Sequence, residues 1–273
     1  MDSNGPQSDI PQPVERISVL KVPLDIVPGE TLAGTIYDLL APGNDGTVKG
    51  KNIILLSLWD LLRARRANEY RDFVQKAALV LPISKSVTGG ARFLTGKTPV
   101  RYMPFDFIIN LLTILENREL SVYLLGAKPR ILKIAEKNIR QTFPKLRIVG
   151  RFIGNFKRQD ESTILEAIRK AAPSLLLIGK GVHGEERWIA RNTGHLNAGL
   201  RLWCSDIFDV FAERKKRPSR ASFDRGLEWF GYCLQHPLHF FRLFPYFRYT
   251  ILLLVYRIFK KDRPLSLPSS PPL

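Results

Sequence analysis

The chain has 273 residues, 45% of them hydrophobic and 25% charged, which suits one large folded domain or two small ones and excludes a disordered chain. Lys and Arg number 42 against 25 Asp and Glu, a formal net charge of +17. A surplus that large points to an anionic partner: nucleic acid, an anionic membrane surface or a phosphorylated substrate. Two cysteines, Cys204 and Cys233, are too few for a disulfide framework, and no Cys/His spacing suggests a metal site, so a reducing, cytosolic setting is expected.

In chain order, residues 1–13 read as a disordered, acidic, Pro-rich leader with no apolar segment of the signal-peptide kind. Ile17–Val22 is a candidate strand and Glu30–Leu40 is helical. Ala41–Lys51 has loop composition. Asn52–Ser57 (NIILLS) reads as a buried strand, Leu58–Ala78 as helix, and Leu79–Pro82 as a short strand before a Gly/Ser/Thr/Lys-rich stretch at Ile83–Thr98. Beyond it, helices are expected at Phe105–Asn117, Arg130–Thr142, Ser162–Ala172 and Glu185–Arg191. They alternate with strands at Ser121–Leu125, Leu146–Phe152, Ser174–Ile178 and Gly199–Cys204. That alternation argues for crossover units: an α/β fold with a Rossmann-like, mostly parallel sheet and flanking helices.

The last seventy residues differ in kind. RKKRPSR at Arg214–Arg220 is a basic loop, and Ser222–Gln235 reads as an amphipathic helix. Phe240–Lys261 then mixes aromatics with Arg and Lys. Its longest uncharged run, Tyr249–Tyr256, is far shorter than the roughly 20 residues of a membrane span. Rings at the acyl boundary with cations on lipid phosphates would suit a segment lying on an anionic membrane surface; a helix docked on the protein's own core is the alternative. Residues 262–273 read as a disordered tail. The expected organisation is an α/β domain over 14–221 and a helical, basic C-terminal appendage over 222–261 that lies next to the membrane.

Two apolar runs stop at glycine and pass into a helical pattern: SVYLLGAKP at Ser121–Pro129 and SLLLIGKGVHGEERWI at Ser174–Ile189. In parallel α/β sheets such turns sit at the carboxyl ends of strands, where glycine lets a phosphate approach the backbone. Gly126, Gly179 and Gly181 are therefore candidate phosphate contacts, with a plain structural turn as the alternative at each.

Taken in order and spacing, VYLLGAKP, AEKNIRQTFPKLRIVGRFIGNF (Ala135–Phe156), LLLIGKGVHGEERWIARN (Leu175–Asn192), DIFDVFAERKKRPSR (Asp206–Arg220) and RGLEWFGYCLQHP (Arg225–Pro237) resemble the WecG/TagA/CpsF family of bacterial glycosyltransferases. The resemblance implies an inverting, metal-independent transferase with no cofactor beyond its UDP-sugar donor. Such an enzyme moves an N-acetylmannosamine-type sugar to a polyprenyl-diphosphate-linked glycan acceptor in cell-surface polysaccharide synthesis. The resemblance further implies a cytoplasmic protein, peripheral on the inner face of the cell membrane, and common self-association, hence a possible homo-oligomer.

The chain departs from that pattern where the family carries a Pro-Asp-Gly, whose aspartate is the proposed base. Here Ile83 and Ser84 follow Pro82, and isoleucine accepts no proton. A Thr-x-Asn pattern of the donor pocket appears as Leu55 and Ser57, and a Pro-Lys-Gln-Glu as His183, Gly184, Glu185 and Glu186. Asp106, in YMPFDF, matches the acid of a Thr-Gly-x-Asp segment and is the candidate replacement base; a helix-start hydrogen-bonding role is its alternative. His183 is a second candidate by its intrinsic pKa range. Lys85, Arg92, Lys97 and Arg101 are candidate diphosphate contacts or a solvated basic face. Glu185 and Glu186 are candidate donor-sugar contacts, or acids complementing a helix dipole. Trp188 and Trp229 read as core, and Asp209 as structural or acceptor-side. A family member that binds nucleotide sugar or lipid diphosphate without turnover is the alternative function. A nucleic-acid-binding role ranks last, for no reading helix or base-stacking motif accompanies the charge.

Overall fold

A computed structural model describes residues 14–41, 50–217, 219–225 and 244–259. The sequence-expected leader, the terminal tail, Trp229, Cys233, much of the Ala41–Lys51 loop and most of the Ser222–Gln235 helix lie outside the described residues.

Six strands form one parallel sheet: β3 (Lys51–Leu56), β4 (Leu79–Pro82), β5 (Ser121–Leu125), β6 (Arg147–Phe152), β7 (Leu175–Gly179) and β8 (Leu200–Ser205), in the order β4-β3-β8-β7-β5-β6. Each buried strand is apolar on both faces because helices cover both. In β7, Leu176 and Ile178 enter one core, while Leu175 and Leu177 enter the other. This two-sided burial is why the strands read as continuous apolar runs.

One face carries α2 (Leu58–Ala64), α3 (Glu69–Gln75), α4 (Lys85–Thr95), α7 (Glu161–Ala171), α8 (Glu186–Asn192) and α11 (Phe244–Phe259). The other carries α1 (Leu32–Leu40), α5 (Pro104–Glu116), α6 (Pro129–Thr142) and the short α9 (Ile207–Phe211). A further short helix, α10 (Arg220–Arg225), follows the basic loop.

Three local expectations are corrected. The first strand is a hairpin, β1 (Glu15–Val19) with β2 (Val22–Ile26), turned by Leu20 and Lys21 at φ 52° and 69°. Its turn lacks the glycine or asparagine that signals such a hairpin. Asp25, 1% exposed, pins it to the sheet: the carboxylate accepts from Arg16 at 2.6 Å and from the Val80 backbone N–H at 2.7 Å. Secondly, Leu58–Ala78 is two helices, because Asn68 caps a new one by accepting from the Arg71 N–H. Thirdly, the Gly-rich stretch after Ile83 is the helix α4. Its Gly90 is explained by Tyr249 of α11, whose hydroxyl lies 1.9 Å from where a Cβ would stand.

The C-terminal helix is present. Tyr249 and Tyr256 of α11 are buried, while Phe244, Phe247, Ile251, Leu254 and Ile258 are exposed. Those spacings of three and four place the exposed residues along one stripe. Among the described residues no helix is long and apolar enough to cross a membrane.

Candidate functional site

The carboxyl edge of the sheet gathers the turns after β3, β4, β5, β6 and β7. Gly126 sits at φ 129°, and a Cβ there would stand 2.7 Å from the Gly179 carbonyl oxygen; one at Gly154 would stand 2.8 Å from that of Lys180. One at Gly179 would meet the Phe208 ring at 2.4 Å. Gly181 is at φ 95°, facing Asn155. The Ala127 N–H donates to the Lys180 carbonyl at 2.7 Å, and the Gly154 N–H to the Ala127 carbonyl at 2.9 Å. The glycines are thus occupied in letting three loops and α9 interlock, which holds the edge rigid.

Ile83 stands at the end of β4, its N–H on the Leu56 carbonyl at 3.1 Å and its side chain half-buried. Lys85, Arg101 and Asp106 converge on α10. Arg101 donates through Nε to the Ile83 carbonyl at 3.0 Å and through a terminal nitrogen to the Phe223 carbonyl at 2.5 Å, with its guanidinium 3.6 Å from the centre of the Phe223 ring. Lys85 Nζ donates to the Asp224 carbonyl at 3.2 Å. Asp106, in the first turn of α5, pairs with Arg220 at 3.2 Å. The short α10 is therefore fastened across the ends of β4 and α5.

Beside it, an open groove of about 610 Å³ runs between α5, α6 and α9. Phe105 and Phe211 are in ring contact within it, 5.2 Å between centroids, and Lys215, Lys216 and Arg217 line its rim.

A second constellation lies one strand over. Ser57 ends β3 and caps α2, its hydroxyl 2.5 Å from Asp60 Oδ2 in a reciprocal capping box. Arg63, one turn on, lies 3.9 Å from the centre of the Tyr70 ring and 3.6 Å from Glu186 Oε2. Burial raises the pKa of Asp60, partly opposed by its bonds to Ser57 and by Arg63. Burial likewise raises that of Glu186, with the Asp60 charge adding to it. Burial also pushes the Tyr70 hydroxyl upward, reinforced by both carboxylates. Sequence reading missed Asp60, Arg63 and Tyr70; the Ser-x-x-Asp capping pattern was the available signal.

Among the remaining candidates, His183 is exposed and offers only its backbone carbonyl, to Arg191 at 3.3 Å. Glu185 is exposed at φ 54°, ψ −128°, a strained backbone for a residue with a side chain. Lys97 pairs with Glu15, and Arg92 is exposed on α4. Trp188 is 1% exposed and packs edge-on against Phe156. Asp209 is buried and pairs with Lys180 at 2.8 Å.

A family profile described as "Glycosyl transferase WecG/TagA/CpsF family" matches residues 17–264. An N-acetylglucosaminyldiphosphoundecaprenol N-acetyl-beta-D-mannosaminyltransferase of Bacillus subtilis (strain 168) is 24% identical over 192 residues, covering 70% of this chain and 74% of its own length. A protein of the same name from Staphylococcus aureus (strain MW2) is 22% identical over 184 residues, 67% of this chain and 72% of its own.

Proposed function

The chain belongs to the WecG/TagA/CpsF family of glycosyl transferases, and from that premise we propose that it moves an N-acetylmannosamine-type sugar from a UDP donor to a polyprenyl-diphosphate-linked acceptor in cell-surface polysaccharide synthesis. The observation that carries this reading is the family match across nearly the whole folded chain, 17–264. The activity for which the two relatives are named supports the acceptor class. The donor lies at the carboxyl edge, along the turns that carry Gly126, Gly179, Gly181, Glu185 and Glu186. The acceptor enters beside α10, where an aromatic-floored groove with a cationic rim suits an amphiphile with a phosphate head. Lys85 and Arg101 hold α10 in place there, and Asp106 anchors it through Arg220.

The protein works at an anionic membrane surface, cytoplasmic side, peripherally. Support comes from the exposed apolar stripe of α11 and the +17 net charge. Burying one large apolar side chain contributes about 1.5–3 kcal/mol, so a stripe of five with basic flanks is enough for reversible anchoring.

The activity is tested by UDP release from a panel of UDP-N-acetylhexosamines and their uronic acids, with a short-chain GlcNAc-diphospho-lipid as acceptor. Acceptor-dependent release is expected. Calorimetric UDP binding without release would instead establish the second reading, a non-catalytic binder, which the apolar Ile83 at the end of β4 favours. Anchoring is tested by removing the chain after Pro237: the shortened protein should stay in the supernatant when anionic liposomes are pelleted. Sedimentation equal to the full chain's would refute the membrane role of Phe240–Lys261.

A further inference from the structure

We propose that Glu186 is the general base of this chain, with Asp60 as the residue that positions and tunes it, in place of an acid at Ile83. The inference rests on the transferase reading above.

Three observations carry it. First, the constellation has two carboxylates and one cation: Arg63, at 3.6 Å from Glu186 Oε2, serves Glu186 and also covers the Tyr70 ring. Asp60 is taken up by Ser57. Glu186 Oε2 is buried yet receives no hydrogen bond among the described residues. Such an oxygen is poised to take a proton.

Second, an apolar-walled cavity of about 20 Å³ opens at Glu186, lined also by Tyr70, Trp203, Ile189 and Leu55. That is room for one small polar group. Tyr70 is 3% exposed and lines the same cavity. A buried carboxylate oxygen with no hydrogen-bond donor is costly unless a further polar group reaches it. A sugar or acceptor hydroxyl is such a group.

Third, the place is right. Ile83 and β3 are joined through the Leu56 carbonyl, and the next residue, Ser57, holds Asp60, whose charge acts on Glu186. The charged and titratable groups facing Glu186 are Asp60 and Arg63 of α2, Tyr70 of α3 and Glu185 of its own loop. Its raised proton affinity brings it nearer to working pH than an ordinary carboxylate.

The step balances without a co-reactant. The acceptor hydroxyl oxygen attacks the anomeric carbon, and the bond from that carbon to the UDP β-phosphate oxygen breaks. The electron pair leaves with UDP, and the hydroxyl proton passes to Glu186, which later yields it to water.

The test is UDP release between about pH 5 and 9 by the full chain and by Glu186→Gln, Glu186→Asp and Asp60→Asn, with donor affinity read by calorimetry. Glu186→Gln is expected to lower kcat about 100-fold or more with donor affinity within about threefold, and Glu186→Asp to restore part of it. Asp60→Asn is expected to keep measurable turnover and to move the acid limb of kcat to lower pH, because a neighbouring negative charge is removed. Glu186→Gln turnover within about fivefold of the parent overturns the assignment while leaving the transferase reading intact. An unmoved acid limb in Asp60→Asn overturns the tuning role. A parent silent with every donor overturns the transferase reading and the base assignment with it. The proton-holding pair then stands only if NMR of labelled glutamate shows Glu186 titrating above the ordinary range and falling in Asp60→Asn.

Discussion

Single residues at the carboxyl edge divide into those that hold backbone and those that hold protons. Gly126 belongs to the first group: alanine there is strained by the positive φ and collides with the Gly179 carbonyl. Gly126→Ala should cost about 2 kcal/mol or more, while Gly89→Ala, with open space about it, should gain about 0.5–1 kcal/mol; urea unfolding reads both. Glu186 belongs to the second. Its proton affinity is raised by folding, so its contribution to stability is complete below the unfolded pKa and lost as pH rises through the folded one. Glu186→Gln should therefore raise Tm at neutral pH, with the gain vanishing below about pH 4. At this scale the sequence announced the glycines and Glu186 by their position after apolar runs. Asp60, Arg63 and Tyr70 stayed hidden, because their meeting depends on how α2, α3 and α8 pack, which no local pattern encodes.

Elements carry the connection between site and surface. α4 begins beside Ile83 and its middle receives Tyr249 of α11 at Gly90. A methyl at position 90 fits only if the buried Tyr249 ring moves. Gly90→Ala should therefore loosen α11 and weaken liposome binding while the unfolding midpoint of the sheet stays near that of the parent; co-sedimentation and far-UV melting check this. α10 depends on side chains from α4, α5 and the segment between them. Arg101→Gln removes the bonds to Ile83 and Phe223, and faster amide exchange in α10 is the expected result. The strands and the long helices were legible because burial on both faces leaves unbroken apolar runs and helices keep their period. The β1–β2 hairpin and α4 were not. One lacks a turn signature, and the other has a helical interior whose glycines make sense only once α11 is beside them.

The whole molecule pairs a rigid sheet edge with a basic, partly apolar exterior. Membrane attachment driven by both should weaken with salt but not vanish, since ionic attraction is screened while apolar insertion is not. Liposome binding measured across a salt series should fall to a plateau for the full chain. The α/β class and parallel sheet were readable from alternation alone. The strand order was not, since it is set by which faces and edges fit rather than by position in the chain.

That order has a consequence for how the protein is made. β8 lies between β3 and β7, joining the β3–β4 pair to the β5–β6–β7 trio. Until the ribosome has delivered residues 200–205, the nascent chain can hold only two separate half-sheets, each with an open flank able to recruit a foreign strand. β8 acts as a keystone: the last strand among the described residues is the one that closes the sheet. Stalled translation before it should leave a product that depends on chaperones, however well each half has formed.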